Sequence, residues 1–174
     1  MPVKSDSFIK TEKLFIMFRK LTRIKQKLDD AECVEILKNE KRGVLSLIGD
    51  GGYPYGVPMN HFYNEEDGRI YFHSGRTGHK IDAINACGKA SFCVVDGGRK
   101  EEGDWALRFR SVIVFGTIET VEDRGTVYKI AEKLSRKFTD DEAYIKTELE
   151  RSGPATLMFA LVPEHITGKT VKES

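Results

Sequence analysis

The stretch Tyr71-Phe72-His73-Ser74-Gly75-Arg76-Thr77-Gly78-His79-Lys80 is dense in hydrogen-bond donors. An apolar run gives way to glycines, and a helical pattern follows. A strand–turn–helix junction of this kind presents free backbone N–H groups, which favour anions. His73, Ser74, Arg76, Thr77, His79 and Lys80 add side-chain donors, and the combination suits a phosphate. Neither GxxxxGK[ST] nor GxGxxG is present, so this is neither a Walker loop nor a dinucleotide fingerprint. A plain strand-to-helix loop with a solvated arginine and lysine would have the same local composition.

Two further stretches could meet a ligand. In Pro54-Tyr55-Gly56-Val57-Pro58-Met59-Asn60, Pro58 brings no N–H to a ladder. Backbone groups beside it can face a flat, polar-edged ring, although an edge strand with a structural proline explains the same residues. In Arg108-Phe109-Arg110-Ser111-Val112, alternation puts Arg108 and Arg110 on one strand face and Ser111 on the other. An arginine there could grip a phosphate through charge-assisted bonds, or simply face solvent. His73 and His79 lack a carboxylate or cysteine at helpful spacing, and no metal site is assigned. No GxSxG elbow supports a Ser/His/Asp triad. Trp105, the only tryptophan, sits in a polar loop and is read as buried in a subunit interface.

The elements that must position these residues follow from periodicity. Asp29 and Glu32 have capping-box spacing, and Cys33, Val34, Ile36 and Leu37 give a helix ending near Glu40. Strands are expected over 44–48, 55–63, 69–74, 90–96, 109–122 and 155–162, with a last short one over 164–171. The second and third should form a hairpin. A short helix is expected over 77–87. Two more helices follow residue 122, the second capped by Thr139 with Glu142 and ended by Gly153-Pro154. Val112, Ile113, Val114 and Phe115 are apolar on both strand faces, which points to a closed barrel or a wall covered by a second subunit.

A chain of 174 residues suits one domain, here 28–174, preceded by a basic extension, 1–27. Met17 offers an alternative start that would make residues 1–16 dispensable. The net charge of +1 gives no case for nucleic acid or membrane surfaces. Three cysteines without CxxC spacing read as reduced thiols, and no apolar run approaches a bilayer span. A cytoplasmic protein is the expectation.

In family order, the pieces Gly43-Val44-Leu45-Ser46, Tyr53-Pro54-Tyr55-Gly56-Val57-Pro58-Met59, Ile70-Tyr71-Phe72-His73, Gly78-His79-Lys80, Arg110-Ser111-Val112 with Gly116, and Ile166-Thr167-Gly168-Lys169 resemble the pyridoxamine-5′-phosphate-oxidase-like FMN-binding split barrels. The nitroimidazole-resistance subgroup is the nearest match. The resemblance runs from about residue 17 to 169. It implies a mainly β fold with flanking helices, an antiparallel split barrel of six to seven strands. It also implies a homodimer with FMN at its interface. By position, Val57, Pro58, Met59 and Asn60 would hold the flavin ring through the backbone. His73 and Ser74 would lie beside the ribityl-phosphate, and His79 and Lys80 would clamp the phosphate. Arg110 and Ser111 would add a further flavin contact. The phosphate is thus expected between Lys80 and Arg110.

The departures from the family pattern matter as much. Val57 stands where true oxidases of the B6 vitamer carry arginine, and the chain ends at Ser174 without their C-terminal tryptophan and arginine. Both argue against vitamin B6 oxidation. His79 replaces a more basic residue, which would make phosphate affinity depend on pH near neutrality. The implied function is a flavin-dependent oxidoreductase acting on a small acceptor. The alternative is a non-catalytic flavin- or haem-binding protein, with His73 or His165 as the axial ligand.

Overall fold

The computed structural model describes residues 18–173, so residues 1–17 of the expected extension lie outside the description. Helix α1 (Asp30–Asn39) starts on the predicted box. The Glu32 N–H donates to the Asp29 carboxylate at 2.8 Å, and the Asp29 N–H to the Glu32 carboxylate at 2.9 Å. Two donors that a helix start leaves orphaned are thereby satisfied. Cys33, Ile36 and Leu37 form the buried stripe, and α1 packs across the sheet that follows it.

Eight strands form one antiparallel sheet: β1 (Arg42–Ile48), β2 (Pro54–Asn60), β3 (Phe62–Asn64), β4 (Arg69–Ser74), β5 (Lys89–Val95), β6 (Arg99–Lys100), β7 (Leu107–Thr120) and β8 (Leu157–Lys172). Their order is β2-β1-β5-β7-β8-β4-β3, with β6 attached to β7. The first and last strands of that order, β2 and β3, are separated in the chain only by His61. Adjacent Cα atoms lie about 3.8 Å apart, so the sheet must curl until its ends meet. No ladder joins β2 to β3 or β4 among the described residues, and the resulting barrel is split along that seam. The expected split barrel is therefore the fold.

The expected strand 55–63 is broken, and the physical reason is His61. Its ring is fully buried, packs edge-on to Phe92, and bonds the Leu37 carbonyl at 2.8 Å. Its own carbonyl accepts from Lys137 Nζ at 3.1 Å, and that amine also reaches the Glu40 carbonyl at 2.6 Å. The kink turns the chain from β2, which pairs with β1, to β3, which pairs with β4. The predicted hairpin thus involves β3 and β4 alone.

The two expected C-terminal strands are one, the 16-residue β8. A register shift between Phe115 and Gly116 leaves Glu164 as the extra residue beside Pro163, as bulges do. A Cβ on Gly116 would lie 2.1 Å from the Val162 carbonyl, so only glycine allows that approach. Helices α3 (Arg124–Arg136) and α4 (Glu142–Ser152) precede β8. The cap of α4 is Asp141, which accepts from the Tyr144 N–H. Thr139 instead accepts from the Asp141 N–H at 3.2 Å, one step upstream of the predicted role.

Inward residues of β1, β5 and β7 (Leu45, Leu47, Phe92, Val94, Val112 and Val114) fill the barrel with Phe72, Phe159 and Leu161. A second cluster forms outside, where Val127 and Ile130 of α3 cover Tyr71, Met158 and Ala160. The opposite faces of β1, β5 and β7 stay open: Val44 is 41% exposed, Val95 48% and Phe115 38%. Trp105 is 72% exposed in the β6–β7 loop of the single chain. All three cysteines are free thiols, and no described helix is long and apolar enough to cross a membrane.

Candidate functional site

Helix α2 (His79–Ala86) begins at Gly78, whose φ of +115° suits a residue without Cβ. No side chain caps this start. Its leading N–H groups are therefore open to an anion. From the first turn the Lys80 side chain runs back to β2, where Nζ donates to the Met59 sulfur at 3.5 Å. A thioether is a weak acceptor. No described carboxylate lies within ion-pair distance of this ammonium, and burial pushes its pKa down. A half-buried cation without a counter-charge is costly unless something else supplies one.

The groups around Lys80 are those the sequence singles out. Val57 and Met59 point into the core, Val57 partly and Met59 fully buried, while Pro58 is exposed. β2 is an edge strand, so one side of its backbone has no ladder partner among the described strands. Ser74 closes β4 opposite Leu157. His73, one residue earlier, has an edge open to solvent. Desolvation by its neighbours and the charge of Lys80 both lower its pKa and favour the neutral imidazole. His79 lies against Tyr55, ring centroids 4.1 Å apart. The structure thus gathers Met59, His73, His79 and Lys80 at the seam.

Asn60 and His73 also border a cavity of about 480 Å³ between the seam and the α3–α4 pair. Its other walls are mainly apolar, with Val127, Leu134, Phe138 and Leu149 prominent. Periodicity marks Val127, Leu134 and Phe138 as one helix face, but nothing in it says that part of the face lines a cavity instead of packing solidly.

Arg110 and Ser111 are placed elsewhere. Arg110 Nε donates to Asp96 at 2.8 Å and an Nη to Glu35 at 2.9 Å, while its backbone N–H bonds Asp96 at 2.8 Å. Desolvation raises the Asp96 pKa, but the bonds from Arg110 and Gly98 outweigh it and leave the carboxyl below its ordinary value. Arg110 lines a separate polar cavity of about 250 Å³ with Asp96, Gly98, Arg99 and Arg108. Ser111 is buried between Val95 and Lys169. One chain therefore does not bring Arg110 to Lys80. Sequence reasoning also misses Asp96 as the partner of Arg110; the pair becomes visible only once β5 and β7 are in register.

The family profile described as pyridoxamine 5′-phosphate oxidase matches residues 29–170. No curated protein matches the chain. Solved structures of similar fold include a protein from Bacteroides thetaiotaomicron, provisionally described as a 5-nitroimidazole antibiotic resistance protein. It has 20% identity and a TM-score of 0.68, covering 84% of this chain and 87% of that one. A FAD-binding protein from Mesorhizobium loti has 24% identity and a TM-score of 0.59, covering 84% and 97%. A FAD and haem binding protein from Mycobacterium smegmatis has 19% identity and a TM-score of 0.65, covering 83% and 72%. At these identities the likeness concerns the fold.

Proposed function

The chain belongs to the pyridoxamine 5′-phosphate oxidase family, and from that premise we propose that it is a flavoprotein, an FMN-binding oxidoreductase that reduces a small acceptor. The observation that carries the reading is the half-buried Lys80 ammonium, which has a thioether and no described carboxylate beside it at an uncapped helix start. A phosphate ester supplies the missing negative charge, and charge-assisted bonds of this kind are strong. The donor set fits the group. Lys80, His79 and the first N–H groups of α2 would hold the phosphate, with Ser74 beside it. The unpaired edge of β2, from Val57 to Asn60, would bind the polar rim of the ring.

A bound flavin supplies the electron transfer, while the protein supplies grip, orientation and a dry wall. Asn60 and His73 belong both to that cradle and to the apolar cavity under α3 and α4. A small acceptor in the cavity would lie next to the cofactor, with water excluded by Leu134 and Phe138. The neutral His73 imidazole would offer it a hydrogen bond without charge.

The exposed apolar face around Val44, Val95 and Phe115 supports a homodimer, since patches of this kind mark association surfaces. Arg110 and Ser111 do not reach Lys80 within one chain, so a flavin contact from either would have to come from the partner subunit.

The spectrum of protein purified without added cofactor tests the reading. The flavin absorption bands are expected, and NADH or NADPH should bleach them without oxygen. Colourless protein that takes up no added FMN would overturn the proposal, as would a flavin that no reductant reaches. The relatives described as FAD-binding make the dinucleotide the competing outcome, which chromatography of the heat-released cofactor distinguishes. A Soret band without flavin would favour a haem protein.

A further inference from the structure

His79 opens α2 behind a glycine, where an imidazole has little to restrain its rotamer. In the structure the restraint comes from the facing turn and strand. The ring lies on that of Tyr55, planes 19° apart and centroids 4.1 Å apart, and Nε2 is 3.6 Å from an Asp50 carboxylate oxygen. Gly49 leaves the room for this: a Cβ there would stand 3.0 Å from Tyr55 Cβ and 3.6 Å from His79 Nε2. The two restraints differ in strength. The Asp50 side chain is 96% exposed, and a long polar contact in water fixes little. Tyr55 is half-buried on β2, packed against the main core, and offers a rigid face. The stack decides where the ring points. With Nε2 turned toward Asp50, Nδ1 is the nitrogen that no described group bonds.

We propose that Tyr55 is a positioning residue for the phosphate end of the cradle, and that through the His79 ring it selects the phosphorylated flavin over riboflavin. This rests on the flavin reading. The β1–β2 turn and the start of β2 then form a third wall of the anion site, beside the helix start and Lys80. Tyr55 acts only through the ring it holds, and its own hydroxyl is not needed.

The test is fluorescence titration of FMN and of riboflavin into the wild-type chain, Tyr55→Leu, Tyr55→Phe, His79→Ala and the double variant Tyr55→Leu/His79→Ala. Wild type should prefer FMN. Tyr55→Leu should cut that preference about three- to tenfold, the value of an aromatic stack. Tyr55→Phe should restore it. The double variant should be no worse than His79→Ala, as two residues acting through one contact require. An unchanged preference in Tyr55→Leu, a loss in Tyr55→Phe equal to that in Tyr55→Leu, or additive losses would overturn the proposal. A wild type that binds both flavins equally would also sink it while leaving the flavin reading intact; one that binds neither would sink that reading itself. Should Tyr55→Leu fail to fold, proton NMR of the wild type decides. The His79 ring protons should show the upfield shift of a stacked ring and keep it when FMN is added, and loss of that shift on binding would overturn the assignment.

Discussion

Two basic centres lie on this barrel, and they differ in what balances their charge. At Arg110 the guanidinium meets Asp96 and Glu35, and Arg108 stands 3.0 Å from Glu101. The centre is closed electrostatically and ties β7 to α1 and to the end of β5. At Lys80 the ammonium meets a sulfur. The first arrangement is what a fold needs, and the second is what a ligand needs. Arginine pairs read from sequence as anion receptors can equally be structural ties; the carboxylates around them decide.

Acid should separate the two centres most widely. The His61 imidazole is buried neutral, its pKa pushed down to about 4 first by burial and then by the Lys137 charge. Unfolded, it takes a proton near pH 6.5. Its neutral burial therefore contributes in full above pH 6.5 and loses ground as pH falls toward 4, by about 3 kcal/mol. Urea melts across that window should show the fall, and His61→Gln should flatten it. The joint beside the Lys80 cradle is expected to loosen before the Arg110–Asp96 tie, whose carboxylate is held below its ordinary pKa by its bonds to Arg110 and Gly98. Hydrogen exchange in which β7 opens first would break the comparison.

Next in size, Lys80→Ala should weaken FMN binding by about 1.5–3 kcal/mol, at least tenfold, with little change in melting temperature. Arg110→Ala should do the reverse in the isolated chain. It leaves Asp96 short of its partner and should cost about 1–3 kcal/mol of stability by urea denaturation. A large affinity loss in Arg110→Ala would instead place that residue at the flavin of the neighbouring subunit, which sedimentation of the same variant would then connect to dimer formation. The smallest effect sharpens the contrast. Without flavin, Lys80→Met should stabilise the chain by up to about 1 kcal/mol, because a costly charge is replaced by an apolar group. Loss of stability there would mean that Lys80 is already balanced.

Local features were the legible ones. The Asp29–Glu32 box lies within a few residues of what it contacts, and the Gly153-Pro154 stop and the donors from His73 to Lys80 are local in composition. The break at His61 was not legible, because its cause is a carbonyl 24 residues away. Alternation saw one strand from Tyr55 to Tyr63, and only the closed sheet demands two. β8 was divided at Pro163 for a similar reason: a proline reads as a strand end, whereas the register shift opposite Gly116 lets the ladder pass it. In the cradle, residue types pointed to Lys80 and His79, but Met59 as the contact of Lys80 and Tyr55 as that of His79 needed the turn in place. Arg110 was legible as a cation and illegible as a satisfied one.

The joint at His61 also fixes where the seam is closed by the chain itself. Strands β2 and β3 are tethered there by one residue, which is clamped to Leu37 and Lys137. At the other end of β2, which pairs with β1 as far as Pro54, Tyr55 and His79 meet. A molecule seated along the seam would thus lie between two fixed points, the covalent joint at one end of β2 and the ring pair at the other.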